Sequence, residues 1–441
     1  MSKGRILIGV ILFGCFTGRA MAQGNDLTPV RLTLKEALHS VSTENLQVLM
    51  ANARLQQAIA RIGQAQSSLL PHLEGEVSGG RQTVDLRSEG LTLPGISPHE
   101  GPFNNFDARP RVTMAIFDLS SLARFQAAQK GEKLSEAQLQ KTREDVLALV
   151  ADLFVDAQRK QQTVKLLHTL LEKDRMAYQL SRDNLNQGTG TLLDSSKYKS
   201  DLDQTRYLLA QAELQAESAD MDLEAALQLP LGKPLALVDD DGFLHILEKS
   251  AEGHFKGGSN ADVDMASSQL EASKADQKSA MADFLPRISG SADYGRSGAS
   301  PQHGSNTYFV GVKATVPIWE GGANQAQLKE AKGRVSEARE NLRDSLQQQE
   351  VNVRKARLEI KEADNLRRAK RQQRRTAQRG LLVALHAQQV GSGTVLAVME
   401  AKAQLALAED GYNEAQATWV MAHIGLLHAQ GRLRDLIRQE K

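Results

Sequence analysis

A chain of 441 residues with 54 basic and 53 acidic side chains carries a formal charge of +1, which supplies no field for holding nucleic acid. Only 4% of its residues are aromatic, while Ala, Gln, Leu, Glu and Arg crowd most segments. That composition suits long helices packed through small ridges and excludes a thick globular core.

The first segment reads as an export signal. Lys3 and Arg5 precede an apolar run from Ile6 to Phe16, and Ala20-Met21-Ala22 supplies small residues for cleavage near Ala22. Cleavage removes Lys3, Arg5 and Arg19 from the 54 basic groups, leaving 51 against 53 acids, a charge of −2. Leu12-Phe13-Gly14-Cys15 also resembles a lipobox, with Cys15 as the lipid carrier; the short apolar run and the Phe before Gly favour the Ala-Met-Ala site. Cys15 is the only cysteine, so the cleaved chain forms no disulfide. No later stretch offers the ~20 apolar residues of a spanning helix, so any membrane crossing falls to strands.

The rest of the chain is a tandem duplication. Asn45 and Leu70-Pro71 recur as Asn260 and Leu285-Pro286, each displaced by 215. Ile116-Phe117-Asp118 recurs as Ile318-Trp319-Glu320, displaced by 202, and Gly188-Thr189-Gly190-Thr191 as Gly391-Ser392-Gly393-Thr394, displaced by 203. One loop, between Gly79 and Phe106, is therefore longer in the first half. The expected organisation is a signal over 1–22, a first repeat over 23–229, a connecting segment over 230–258, a second repeat over 259–430 and a tail over 431–441.

Each repeat opens with a helix (34–69; about 260–284) that stops at Leu-Pro, because proline blocks continuation and extends its predecessor. Two strands follow. Leu73, Gly75 and Val77 alternate with His72, Glu74 and Glu76, and Val112, Met114 and Ile116 with Arg111 and Thr113. In the second repeat 287–294 and 308–318 alternate likewise. Strict alternation gives one apolar and one wet face, as in a barrel wall or at a soluble sandwich edge. Four strands per chain cannot close in lipid without open edges, so a barrel needs several chains; three would supply about twelve strands.

A long helix comes next (121–187; 323–388), then a Gly-rich turn and a returning helix (192–229; 394–430). The 67 residues of 121–187 extend roughly 100 Å, which the two shorter helices of that half match if stacked end to end. Segment 230–258, with Pro230 and Pro234, breaks the periodicity.

This order of motifs resembles the TolC family of outer-membrane efflux proteins over the whole cleaved chain. The residues that carry the likeness are Leu32-Thr33-Leu34-Lys35-Glu36-Ala37-Leu38, the two Leu-Pro pairs, Pro317-Ile318-Trp319-Glu320-Gly321-Gly322 and Val390-Gly391-Ser392-Gly393-Thr394. The resemblance implies a homotrimer with a shared twelve-stranded barrel in outer-membrane lipid and a coiled-coil α-helical tunnel through the periplasm. It also implies docking onto a periplasmic adaptor and an inner-membrane transporter. On that footing the candidate adaptor contacts are Gln187, Gly188, Thr189, Gly190 and Thr191 at the first turn, and Val390, Gly391, Ser392, Gly393 and Thr394 at the second. The family rings its closed aperture with acids just beyond the second turn; the matching positions here are Ala397 and Glu400, and Asp194 stands in the first half where Ala397 stands in the second.

The basic run Arg367, Arg368, Lys370, Arg371, Arg374, Arg375, Arg379 reads as a solvated face or as partners for acids on a neighbouring helix. No catalytic constellation, cofactor motif or metal-ligand spacing is found. His423 and His428 sit five apart, wrong for one helix face, and Asp239-Asp240-Asp241-Gly242 has Leu237 at the first position of a calcium loop. The expectation is a passive exit duct, not an enzyme. The alternative is a non-transporting trimeric coiled coil, a surface or structural protein.

Overall fold

The computed structural model describes residues 30–85, 87, 90, 99–230, 232, 234–238, 241–252 and 259–438. The expected signal, Cys15, cleavage near Ala22, Asp239-Asp240 and the very end of the tail lie outside the described residues, as does most of 86–98.

The first element, β1 (Val30–Thr33), runs into α1 (Leu34–Glu44) through a capping box: Glu36 N–H donates to Thr33 Oγ1 at 3.2 Å, and Thr33 N–H to Glu36 Oε2 at 2.8 Å. The helix expected over 34–69 is broken. Asn45 takes extended geometry and caps a separate α2 (Leu46–Ser67), accepting from Gln47 N–H at 2.9 Å while its Nδ2 donates to Ala226 O at 3.0 Å. A side-chain amide competing for backbone groups ended the helix where apolar periodicity ran on. Its repeat counterpart Asn260 caps α6 (Ala261–Ala282) in the same manner.

Beyond Pro71 and Pro286 come the hairpins β2 (His72–Asp85) with β3 (His99–Asp118), and β5 (Arg287–Gly298) with β6 (Gly304–Thr315). They form one antiparallel sheet in the order β2-β3-β5-β6, with β2 and β6 as open edges. The first hairpin is the longer one, as the offset between repeats requires, and its strands far outrun the short alternating cores visible in sequence. β6 stops at Thr315, three residues before the expected Ile318, because Pro317 lacks a donor for the ladder.

Two very long helices run from the sheet: α3 (Leu119–Asn186) and α7 (Ala323–Gln389), 68 and 67 residues or about 100 Å each. α4 (Leu192–Leu227) returns along α3, and α8 (Val395–Ala429) along α7. Nearer the sheet, α2 and α6 pack on α3, and α6 also on α7. Each long helix is thus flanked by shorter ones in succession, and α3 packs on α8 to join the repeats.

The described residues of the connecting segment include regular elements that its composition did not announce. It holds β4 (Leu235–Val238), which pairs in parallel with β1, and α5 (Asp241–Glu252). These cover the main apolar core, where Val150 and Phe154 of α3 meet Val41, Leu223, Leu247, Trp419 and Leu427. The last described element is α9 (Asp435–Arg438). Just before it, Arg434 Nε donates to Glu144 Oε1 at 3.0 Å, fastening the tail to α3. Glu144 is only 3% exposed, and burial raises its pKa against the opposing pull of Arg434.

Candidate functional site

The two Gly-rich turns are near copies of one another. In the first, Gly188 takes φ +74° and Thr189 N–H donates back to Asn184 O at 2.9 Å; in the second, Gly391 takes φ +77° and Ser392 N–H donates to Ala387 O at 2.9 Å. The left-handed backbone here is cheap for glycine alone. The second glycine of each pair serves close approach: a Cβ on Gly190 would lie 3.0 Å from Leu185 N, and one on Gly393 2.8 Å from Gln388 N. Thr191 and Thr394 then start the return helices, their Oγ1 accepting from Asp194 N–H and Ala397 N–H, both at 3.1 Å.

Asp194 and Ala397 therefore hold equivalent places, as the repeat implied. Asp194 also accepts from the Thr191 hydroxyl at 2.6 Å, so its carboxylate strengthens the helix start while remaining exposed. Glu400 is exposed on α8, on the other hairpin. Gln187, Gly188, Thr189, Thr191, Val390, Gly391, Ser392 and Thr394 are exposed at the turns, with Gly190 and Gly393 half-buried beneath them. Sequence reasoning passed over Leu192 and Leu193, which are 71% and 79% exposed beside the first turn, and Val395 beside the second. The available signal was an apolar pair directly after a capping threonine, ahead of the buried seam of α4.

The two faces of the sheet differ in character. Leu73, Val77, Val112, Tyr308, Val310 and Val312 are exposed on one side. The other side carries charge: Arg109 pairs with Asp107 and, at 2.8 Å, with Asp293, while Arg111 reaches Glu76 at 3.1 Å and Asp293 at 3.5 Å. Gly295 allows Arg109 to cross the strand, since a Cβ there would lie 2.3 Å from Arg109 Cβ. An exposed apolar face backed by a paired, polar one is the arrangement of a lipid-facing barrel wall.

The basic run divides in two. Arg367 lies over the Trp419 ring at 4.3 Å and Arg374 over Tyr412 at 4.1 Å, both against α8. Trp419 Nε1–H also donates to Asp364 Oδ1 at 2.8 Å. Arg368, Arg371, Arg375 and Arg379 are exposed. His423 stacks on Trp419, and burial lowers its pKa; His428 instead reaches Asp145 at 3.5 Å, so the two histidines serve different neighbours.

A family model described as outer membrane efflux protein matches residues 37–228 and 258–432. Among characterised proteins of Pseudomonas aeruginosa, the alkaline protease secretion protein AprF is 22% identical over 302 residues, covering 66% of this chain and 61% of AprF. The pyoverdine export outer membrane protein OpmQ is 24% identical over 398 residues, covering 87% of this chain and 83% of OpmQ. Among solved structures, the Campylobacter jejuni CmeC outer membrane channel superposes with a TM-score of 0.75 at 18% identity, over 90% of this chain and 85% of that one. The Vibrio cholerae outer membrane protein VceC gives 0.71 at 20% identity, over 90% and 96%. At such identities the superpositions establish the fold, a helical barrel wall continued by a share of a β-barrel.

Proposed function

The chain belongs to the outer membrane efflux protein family, and from that premise we propose that it is the outer-membrane exit duct of a tripartite efflux or type I secretion system. The observation that carries this reading is the four-stranded sheet with an exposed apolar face and two unpaired edges, β2 and β6. Bare edges in lipid leave backbone donors and acceptors without partners, each at a cost of several kcal/mol. Edge pairing between copies removes them, and three copies give a closed barrel of about twelve strands, wide enough for a water-filled bore. The helices continue that bore into the periplasm, and the Gly-rich turns at their far ends meet a periplasmic adaptor, with an inner-membrane transporter supplying the energy.

The duct is passive and performs no chemistry. Its tip contacts are the residues of the two turns, Gln187 to Thr191 and Val390 to Thr394, together with Leu192 and Leu193. Asp194 and Glu400 contribute negative charge near the narrow end, where symmetry brings like charges together and favours cations. The relatives are named for protease secretion and for pyoverdine export, which fits a conduit whose selectivity resides in the attached pump. The decisive measurement is conductance of the purified protein in planar bilayers, with its mass in detergent. A trimer that inserts and conducts supports the duct; a trimer that inserts without conducting at any voltage refutes it.

A further inference from the structure

The alternation that puts Tyr308, Val310 and Val312 on the lipid face of β6 puts Phe309 on the opposite one. Cross-strand pairing fixes this: Phe309 stands opposite Asp293, Tyr308 opposite Tyr294 and Val310 opposite Ala292. Residues directly opposite in an antiparallel pair point to the same side of the sheet. Asp293 stands in turn opposite Arg111, and Arg111 opposite Glu74. Phe309 therefore belongs to the charged face, where it is 53% exposed. An aromatic ring on the wet side of a membrane strand adds nothing to lipid burial.

Gly311 sets how the ring lies. The ring leans along β6, so that a Cβ on Gly311 would lie 2.5 Å from its Cζ and 2.8 Å from its Cε1. Any side chain at 311 drives the ring off the strand; glycine lets it lean there with half its surface open. The charges around it do not cancel. In its row and the rows two residues above and below stand three acids, Glu74, Glu76 and Asp293, against two arginines, Arg109 and Arg111. Both arginines are already engaged, Arg109 by Asp107 and Asp293, and Arg111 by Glu76 and Asp293. Glu74 is exposed and makes no ion pair among the described residues.

We propose that Phe309, laid open by Gly311 and set among excess carboxylates, forms a transit subsite for organic cations in the barrel lumen. Because β6 is an open edge, closing the barrel sets Phe309 beside β2 of the next copy, whose wet face bears Glu74 and Glu76. The negative face of the ring and the carboxylates both attract a positive charge that carries an apolar body. A hydrated inorganic cation gains from the carboxylates alone. An exposed cation–π contact raises affinity about threefold, a weak preference that leaves selection to the pump. This inference rests on the duct proposed above, and it names the cargo chemistry that the barrel favours.

The probe is benzyltrimethylammonium chloride, titrated into the purified trimer in non-ionic detergent and followed by broadening of its ring-proton NMR lines. Sodium benzenesulfonate, a similar ring with the opposite charge, is the control and does not bind. Phe309→Leu, which keeps apolar bulk, weakens cation binding about threefold, and Phe309→Trp retains it. Gly311→Val, which displaces the ring without removing it, weakens binding as well. Glu74→Gln weakens it about twofold at low salt and less at high salt. Trimer mass and heat-modifiable barrel are measured for each variant, and Glu74→Gln, an exposed isosteric change, carries the test should Phe309→Leu fail to assemble. Cation binding that is absent, or that Phe309→Leu and Glu74→Gln leave unchanged, overturns the inference while a conducting trimer still stands as a duct. Binding lost instead in Asp194→Asn/Glu400→Gln puts the cation at the turns and overturns it too. A monomeric wild type, or a trimer that never conducts, refutes the duct reading and the subsite together.

Discussion

Removing the guanidinium of Arg434 tests how the C-terminal segment is held. Glu144 is 3% exposed, its Oε1 accepts from Arg434 Nε at 3.0 Å, and its Oε2 has no hydrogen-bond partner. In Arg434→Ala the carboxylate stays buried without its cation, a loss of about 3–5 kcal/mol when Glu144 is ionised. Burial already raises the Glu144 pKa, and losing Arg434 raises it further. A group whose folded pKa lies above its unfolded value binds protons more tightly when folded, so stability falls as pH rises from the unfolded to the folded pKa. The Arg434→Ala penalty is therefore greatest above the raised folded pKa and shrinks as pH falls towards the ordinary carboxylate range. His428 also acts favourably on the Glu144 charge, so the series is repeated in a His428→Gln background. Thermal melts by circular dichroism at pH 8 and pH 5 provide the readout, with Glu144→Gln/Arg434→Ala as the control that abolishes the pH dependence. A penalty below about 1 kcal/mol at pH 8, or one that does not change with pH, would refute the buried-charge account.

Gly391→Ala and Gly393→Ala each cost about 1–2 kcal/mol locally, the first through its φ of +77° and the second through its 2.8 Å approach to Gln388 N; hydrogen exchange rises at 386–396 while the trimer melt is unchanged. Gly295→Val pushes Arg109 away from Asp293 and lowers the yield of heat-modifiable barrel on cold denaturing gels, whereas Gly75→Ala, with open space around it, leaves that yield intact. Trp419→Phe loses the hydrogen bond to Asp364 and weakens the stacking of Arg367, a destabilisation of about 1–2 kcal/mol in the same melts. Asp194→Asn combined with Glu400→Gln reduces cation over anion preference in bilayer reversal potentials without changing trimer mass.

Much of this architecture was legible because duplication and periodicity are local properties. Gly188-Thr189-Gly190-Thr191 and Gly391-Ser392-Gly393-Thr394 declared both turns, since a tight helix reversal needs positive φ wherever it occurs. Alternation around Val112 and Val310 disclosed a two-faced sheet, and four strands implied a shared barrel through backbone hydrogen bonding alone. Long-range partners left no such mark. Asn45 breaks its helix partly through Ala226, 181 residues away, and Leu235 to Val238 becomes a strand because β1 lies beside it. Which arginines of the basic run stack on Trp419 and Tyr412, and which stay free, depends on the rotation of α7 against α8. Sequence thus determined the long helices, the two hairpins, the turns, their order and the need for several chains, because those follow from local sterics and unpaired backbone. The assignment of each charged side chain to a partner belonged to tertiary packing, since a helix offers every face equally until its neighbours occupy some of them.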